Sequence, residues 1–76
     1  MARNMNWFAQ HRQEWIAQML SVYGHINRQH LMRNFRISGA QAGNDFNTFN
    51  ENNPGAMIYD NRRKTYVATK PLKQLT

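Results

Sequence analysis

Side chains that could recognise another molecule cluster on one side of a segment in the middle of the sequence. Read as a helix at about 100° per residue, residues 38–53 bring Ala42, Phe46 and Phe49 together. The opposite side holds Ala40, Asn44, Asn47, Thr48 and Glu51. Asn and Gln amides can pair with adenine through two hydrogen bonds, and small side chains let a helix approach a DNA groove closely. A merely solvated face usually carries Glu and Lys pairs, so this composition favours a binding face.

Three consecutive cations, Arg62, Arg63 and Lys64, follow the turn-forming residues Asp60 and Asn61. At the tip of a hairpin they could contact phosphates or enter a narrow minor groove, where the negative potential attracts arginine. Charge at such a tip also protects an edge strand from pairing with another chain. Both interpretations stay open at this point.

The sequence offers no grouping of residues suited to catalysis or metal binding. His11, His25 and His30 have no cysteine partners and no His-x-x-x-His spacing, and the four acidic residues are scattered. Paired carboxylates, a glycine-rich phosphate loop and a nucleophile beside a base are missing from the sequence pattern too. We therefore expect a binding domain that is not an enzyme, without a metal, a cofactor or an evident small-molecule ligand.

The charge balance favours a polyanionic partner. Ten Lys and Arg against four Asp and Glu give a net charge of +6 and a pI near 10.6, which points first to nucleic acid and second to an anionic membrane surface. Seventy-six residues suffice for one small domain. With no cysteine and no apolar run of secretory or membrane-spanning length, the expectation is a cytoplasmic, nucleoid-associated protein without a membrane partner.

Apolar residues at helical spacing predict a long first helix over residues 6–23. The recurring apolar positions are Phe8, Trp15, Ile16, Met19, Leu20 and Tyr23. Gly24 ends the helix, since a residue without Cβ adopts the left-handed conformation at no steric cost. Trp7 and Phe8 lie ahead of the main apolar face, and so small a chain gains little net stability from its own core. A two-fold homodimer through this helix, with the C-terminal tail as an additional contact, is therefore a further expectation.

A second helix is predicted to begin after Asn27, whose side chain caps it. Ile26 and Leu31 occupy the two positions of a hydrophobic staple around that cap. Leu31 and Phe35 lie four residues apart, which indicates a helix of about nine residues with one narrow apolar stripe. Away from the stripe lie Arg28, Arg33 and Arg36. These cations could clamp a phosphate backbone, and ordinary solvated charges are an equal alternative.

A third helix is predicted to begin after Ser38. Residues 38–41 match a capping box, in which the Ser38 hydroxyl accepts from the amide of Gln41 while the Gln41 side chain reaches back to the cap. The sequence Asn-Asn-Pro-Gly at residues 52–55 ends the helix, because the residue before a proline is pushed out of the α region.

Two β-prone runs, residues 57–59 and 65–67, flank the basic turn and predict a hairpin. Residues 70–76 show neither helical nor strand periodicity and predict a flexible basic tail. Three helices and a two-stranded ribbon, with a short turn into a capped third helix, form the winged helix-turn-helix plan, in which the third helix enters the major groove. The expected fold is mainly α with a small β-hairpin, in a domain at residues 6–69.

The residues that carry this plan resemble the N-terminal winged-helix domains of bacterial and phage WYL-domain transcriptional regulators, including those that control anti-phage defence operons. The resemblance covers residues 12–69 and rests on Gly24-His25-Ile26-Asn27-Arg28, Ile37-Ser38 with Gln41-Ala42 and Asp45-Phe46, Pro54-Gly55, Tyr59-Asp60 and Lys64-Thr65-Tyr66-Val67-Ala68. Such regulators continue into a ligand-sensing WYL domain and a dimerisation domain. We expect either an excised domain or a free-standing small relative, so ligand sensing is not carried over.

The function expected from these observations is sequence-specific binding of double-stranded DNA by a transcriptional regulator, a repressor that acts by occupying an operator. Two alternatives stay open: an excisionase-like or architectural DNA-binding accessory protein, and a winged-helix module that binds proteins instead of DNA. The predicted DNA contacts are Arg28, Ser38, Gly39, Ala40, Gln41, Asn44, Asn47, Thr48, Arg62, Arg63 and Lys64.

Overall fold

The computed structural model describes residues 7–69. Its helices are α1 (Trp7–Tyr23), α2 (Arg28–Phe35) and α3 (Gly39–Asn52), and its strands are β1 (His25–Ile26), β2 (Met57–Asp60) and β3 (Thr65–Ala68). The three helices and the β2–β3 hairpin confirm the predicted mainly helical fold with a wing. Asn6, where the domain was expected to begin, and the predicted tail at residues 70–76 lie outside the described residues.

The sheet has three antiparallel strands in the order β1-β3-β2, one more than the predicted two-stranded wing. The additional strand is β1, whose His25 and Ile26 pair with Val67 and Tyr66 of β3. Two residues are too few to show an alternating pattern, which is why the sequence did not indicate this strand. Gly24, with φ 81°, ends α1 in the left-handed conformation as predicted, and β1 follows directly after it. Pairing with β1 ties the wing to the connection between the first two helices.

The core forms where the three helices meet the sheet. Its buried residues are Ile16, Leu20, Ile26, Leu31, Ala42, Phe46, Phe49, Ala56 and Met57. The predicted staple residues Ile26 and Leu31 are both fully buried in it. Tyr23, predicted to belong to the apolar face of α1, is instead 65% exposed, and Phe8, predicted to lie ahead of that face, is 67% exposed. The buried residues of α1 are Ile16 and Leu20, in its second half, so its first turn and Tyr23 lie outside the core.

A three-residue turn joins α2 to α3. Arg36 ends α2 in the left-handed conformation, with φ 55° and ψ 49°, and its backbone N–H donates to the Met32 carbonyl oxygen. Ile37 is half-buried, and Ser38 caps α3 in extended conformation. Ala42 is completely buried, so its small side chain lets α3 pack closely against the other elements. Within residues 7–69, none of the helices is long and apolar enough to span a bilayer.

Candidate nucleic-acid interface

The N-terminus of α2 is held by a reciprocal capping box. Asn27 Oδ1 accepts a hydrogen bond from the His30 backbone N–H at 3.0 Å, and His30 Nδ1 accepts from the Asn27 backbone N–H at 3.2 Å. The cap at Asn27 was predicted, whereas the part played by His30 was not, because Glu and Gln are the usual residues at this position. Burial, with His25 and Arg33 nearby, lowers the pKa of His30, which favours the neutral ring that this bond requires. The box fixes Arg28 as the first helical residue of α2.

Arg28 connects the start of α3 to the wing. A methyl group added at Gly39 would lie 3.8 Å from Arg28 Cδ and Nη1, so the arginine side chain lies beside the first residue of α3. The same side chain lines a cleft of about 330 Å³ between α2 and the wing. This basic cleft is formed by Asn27, Arg28, Gln29, Tyr59, Arg63 and Lys64. Three cations from two separate elements therefore share one depression.

The basic tip of the wing is arranged by Asp60. Its Oδ1 accepts from the backbone N–H groups of Arg62 and Arg63, at 3.0 and 3.3 Å, which is how an aspartate commonly shapes a turn. Its Oδ2 lies 3.8 Å from Arg63 Nε, in an exposed ion pair. Lys64 has φ 55° and reverses the chain into β3. Asp60 thus sets the backbone of the tip and leaves the cationic groups in solvent.

Aromatic stacking connects the wing to α3. Phe46, buried in α3, stacks on Tyr66 of β3 with ring centroids 4.3 Å apart, and Tyr66 meets Tyr59 of β2 edge to face at 4.9 Å. Burial, helped by Tyr59, raises the pKa of Tyr66, while Arg28 acts in the opposite direction. Arg28 and Tyr59 line the same cleft, which brings the arginine close to this pair of rings.

The outer side of α3 follows the sequence prediction in part. Ala40, Asn44 and Asn47 are exposed, as is the capping residue Ser38. Gly39, Gln41 and Thr48 are half-buried. The Ser38 hydroxyl oxygen accepts from the Gln41 backbone N–H at 3.0 Å, as predicted. The other half of the predicted capping box is wrong, because the Gln41 side chain donates to Asp45 Oδ1 at 3.0 Å and does not turn back to the cap. A carboxylate one turn further along attracts the amide more strongly than the cap does.

A buried ion pair supports α3 from behind, and sequence reasoning missed it. Asp45 is 4% exposed and accepts from Arg12 of α1 through two hydrogen bonds, at 2.7 and 3.2 Å. Gln13 Nε2 donates to the Asp45 backbone oxygen at 2.8 Å. The available signal was the position of Asp45 on the apolar side of α3, between Ala42 and Phe46. An acid there needs a cationic partner, but nothing in the sequence indicates that the partner is 33 residues away.

The predicted site residues thus fall into two connected groups. Arg28, Arg63 and Lys64 line the basic cleft, whereas Arg62 is exposed outside it. The second group follows the exposed side of α3 from Ser38 to Asn47. Arg28 beside Gly39 is the link between them. Sequence reasoning assigned Asn27 to the cap of α2 and Tyr59 to a β-prone run, and it placed neither of them, nor Gln29, in a cleft.

The family model for the winged helix-turn-helix domain of the BrxR transcriptional regulator matches residues 9–76 of the chain. The chain belongs to this family. The match confirms the resemblance predicted from the sequence, and with it the winged helix-turn-helix interpretation of the three helices and the wing. The chain is therefore a winged helix-turn-helix domain of the transcriptional-regulator type.

One curated relative adds detail to this BrxR assignment. The DNA-binding transcriptional repressor CapW of Stenotrophomonas maltophilia is 33% identical over 72 residues, which cover 95% of this chain and 24% of CapW. The chain therefore spans about a quarter of the length of this relative. The shared part is the winged helix region described above.

Proposed function

We propose that the domain binds double-stranded DNA sequence-specifically, with α3 in the major groove and the wing and Arg28 on the phosphate backbone. The observation that carries the proposal is the basic cleft, where Arg28 lies beside the start of α3 and meets Arg63 and Lys64 of the wing. Arginine and lysine supply the affinity for phosphates, and they orient a reading helix without reading the sequence themselves. The exposed amides of Asn44 and Asn47 are suited to reading base edges.

Repression by operator occupancy is the mode of action that we propose. It needs only binding and no chemistry by the domain, and the similarity to CapW, named as a DNA-binding transcriptional repressor, supports it. The same proposal places the domain at the nucleoid. In a transcription assay on a duplex carrying the selected site, the protein should reduce transcript in proportion to site occupancy. Occupancy without a fall in transcript would support an architectural role instead.

The direct test compares two arginines of the same helix. Arg28→Ser removes a cation from the basic cleft, whereas Arg33→Ser removes one from a shallow groove beside Trp15 and Met19. On a duplex selected from random sequence, Arg28→Ser should flatten the dependence of log affinity on log salt by about 0.9, the value for one lost phosphate contact. Arg33→Ser should leave the slope unchanged. Equal changes for both variants would contradict the proposed orientation, and no salt-dependent binding of any duplex would favour a protein-binding module.

A homodimer through α1 is a second part of the proposal, supported by its exposed first turn. Trp7 and Phe8 are each 67% exposed and pack edge to face on one another. Large exposed aromatic groups are common at the centre of protein interfaces. Sedimentation at micromolar concentration should show a dimer for the natural chain and a monomer for Trp7→Ser with Phe8→Ser. A monomer in both cases would remove the dimer from the proposal.

A further inference from the structure

The side-chain amide of Gln41 is held in one orientation by a charged group behind it. Its Nε2 donates to Asp45 Oδ1 at 3.0 Å. A carboxylate buried beside an arginine only accepts hydrogen bonds, so the nitrogen of the amide, and not the oxygen, must face Asp45. The chemistry of the partner therefore decides which end of the glutamine is left for a ligand.

The Asp45 carboxylate is fixed in its orientation and cannot follow a rotation of the Gln41 side chain. Arg12 grips both of its carboxylate oxygens, and the two side chains are only 13% and 6% exposed. A two-pronged arginine–carboxylate pair fixes geometry as well as charge. The chain of contacts runs from Arg12 of α1 through Asp45 to Gln41, so a residue on another helix sets the orientation of an amide in the first turn of α3.

The remaining polar atoms of Gln41 match one base better than the others. Within residues 7–69 its side-chain amide makes no second hydrogen bond, so Oε1 and one N–H stay available. In the major groove adenine offers an N6–H donor beside the N7 acceptor, whereas guanine offers two acceptors. Guanine would need two N–H donors from the amide. Gln41 can supply both only by giving up its hydrogen bond to Asp45, which would leave its oxygen facing the carboxylate or its amide turned away.

We infer that Gln41 reads adenine in the major groove, and that Arg12 and Asp45 are positioning residues that set this preference. The position supports the assignment, since the first turn of a recognition helix is the part that meets base edges, and Gln41 is the third residue of α3. The inference rests on the proposed DNA binding. It adds the base that is recognised, the residue that recognises it and the ion pair that orients this residue.

The experiment selects bound duplexes from a random pool with the 76-residue chain and with three variants. The natural chain should show adenine at one column of the selected site. Gln41→Ala should erase that column and leave the other columns intact. Asn50→Ala, an exposed residue near the far end of α3, is the control and should change no column.

The third variant tests the positioning residues while keeping Gln41. Arg12→Met with Asp45→Val replaces the buried ion pair by apolar groups of similar volume, an exchange that proteins often tolerate. Its preference for adenine over guanine at the Gln41 column should fall by about tenfold, an effect within the range of one lost two-bond contact. Circular dichroism checks that it folds, and if it does not, Arg12→Lys replaces it, with the two-pronged grip lost and a smaller fall expected at the same column.

The outcomes separate the inference from the function beneath it. Failure of the natural chain to select any sequence would end the proposed function itself. A selected site whose columns are all unaffected by Gln41→Ala would overturn the inference and leave the proposed function standing. Cytosine or guanine in the Gln41 column of the natural chain would also overturn it. An undiminished adenine preference in the folded positioning variant would show that Arg12 and Asp45 do not align the glutamine.

Discussion

The two surfaces proposed to meet DNA are held in opposite ways. The reading side of α3 is supported from behind by Asp45 and Arg12, a pair shielded from solvent. The wing tip is shaped by Asp60, and its Arg63 side chain is 79% exposed. A buried ion pair is costly to break, whereas an exposed one contributes little to stability. The alignment of α3, the proposed reading helix, is therefore tied to folding, while the proposed phosphate contacts of the wing can change without affecting the fold.

The largest effect expected from this contrast is on stability, at Asp45. Asp45→Ala leaves the Arg12 guanidinium buried without its partner and should lower the free energy of unfolding by about 3–5 kcal/mol, measured by urea denaturation. Glu51→Ala, which removes an exposed acid from the same helix, should change it by less than about 0.5 kcal/mol. A loss below about 1 kcal/mol for Asp45→Ala would mean that the pair behind α3 contributes as little to stability as the exposed pair at the wing tip.

The wing should show the reverse pattern, with binding affected and stability unchanged. Replacing Arg62, Arg63 and Lys64 by serine should leave the thermal unfolding temperature almost unchanged, since all three are exposed. Losing two or three phosphate contacts should flatten the slope of log affinity against log salt by roughly 2 to 3. An unchanged slope would make the tip edge-strand protection, the alternative left open by the sequence. Affinity on two flanking sequences adds a check, because an arginine in a narrow minor groove should also prefer A·T-rich flanks.

On α3 the comparison is between binding to the selected site and binding to random DNA. Asn44→Ala and Asn47→Ala should each cost about 1–3 kcal/mol of binding free energy on the selected site and little on random DNA. Both residues are exposed and Asn50, the matched control, is exposed near the far end of the same helix. Fluorescence anisotropy on both duplexes measures the difference. Equal losses on the two would assign these amides to the phosphate backbone.

A smaller effect is expected at the joint between α2 and α3. Ser38→Ala removes the acceptor of the Gln41 N–H and should lower the free energy of unfolding by about 1 kcal/mol, whereas Ser38→Gly should cost only a few tenths. Chemical denaturation of the two variants gives the comparison. If alanine and glycine behave alike, the hydroxyl does not stabilise the start of α3.

The smallest effect expected is a pH dependence from the cap of α2. The pKa of His30 is lowered from 6.5 in the folded protein, so the unfolded chain binds a proton at higher pH than the folded chain. Its contribution to stability is therefore complete above about pH 6.5 and is lost as the pH falls below that value. His30→Gln keeps an acceptor for the Asn27 N–H without titrating. The thermal unfolding temperature of this variant should fall less between pH 7.5 and 5.5 than that of the natural chain, and an equal fall would contradict the role of His30.

Features formed by residues close together in the sequence could be predicted, whereas contacts between residues far apart in the sequence mostly could not. Caps at Asn27 and Ser38, the turn at Gly24 and the hairpin are encoded within a few residues, and all of them were predicted. The ion pair of Arg12 with Asp45, and the pairing of His25 with Val67, join residues far apart in the chain. For each of these contacts the sequence indicates at most one of the two residues, such as an acidic residue on the apolar side of a helix. The basic cleft was missed as a unit for the same reason, although its cations were identified one by one.

The central position of β3 has a consequence for how the chain is made. A polypeptide emerges from the ribosome N-terminus first, so β1 and all three helices are synthesised before the strand that pairs with β1 exists. Until Tyr66 and Val67 have emerged, Ile26 and His25 have no backbone partners in the sheet, and Phe46 lacks the ring that covers it. All residues of α3 are therefore synthesised well before α3 can pack against the wing. A nascent chain interrupted ahead of β3 should consequently be a target for proteolysis and no competitor for the DNA site.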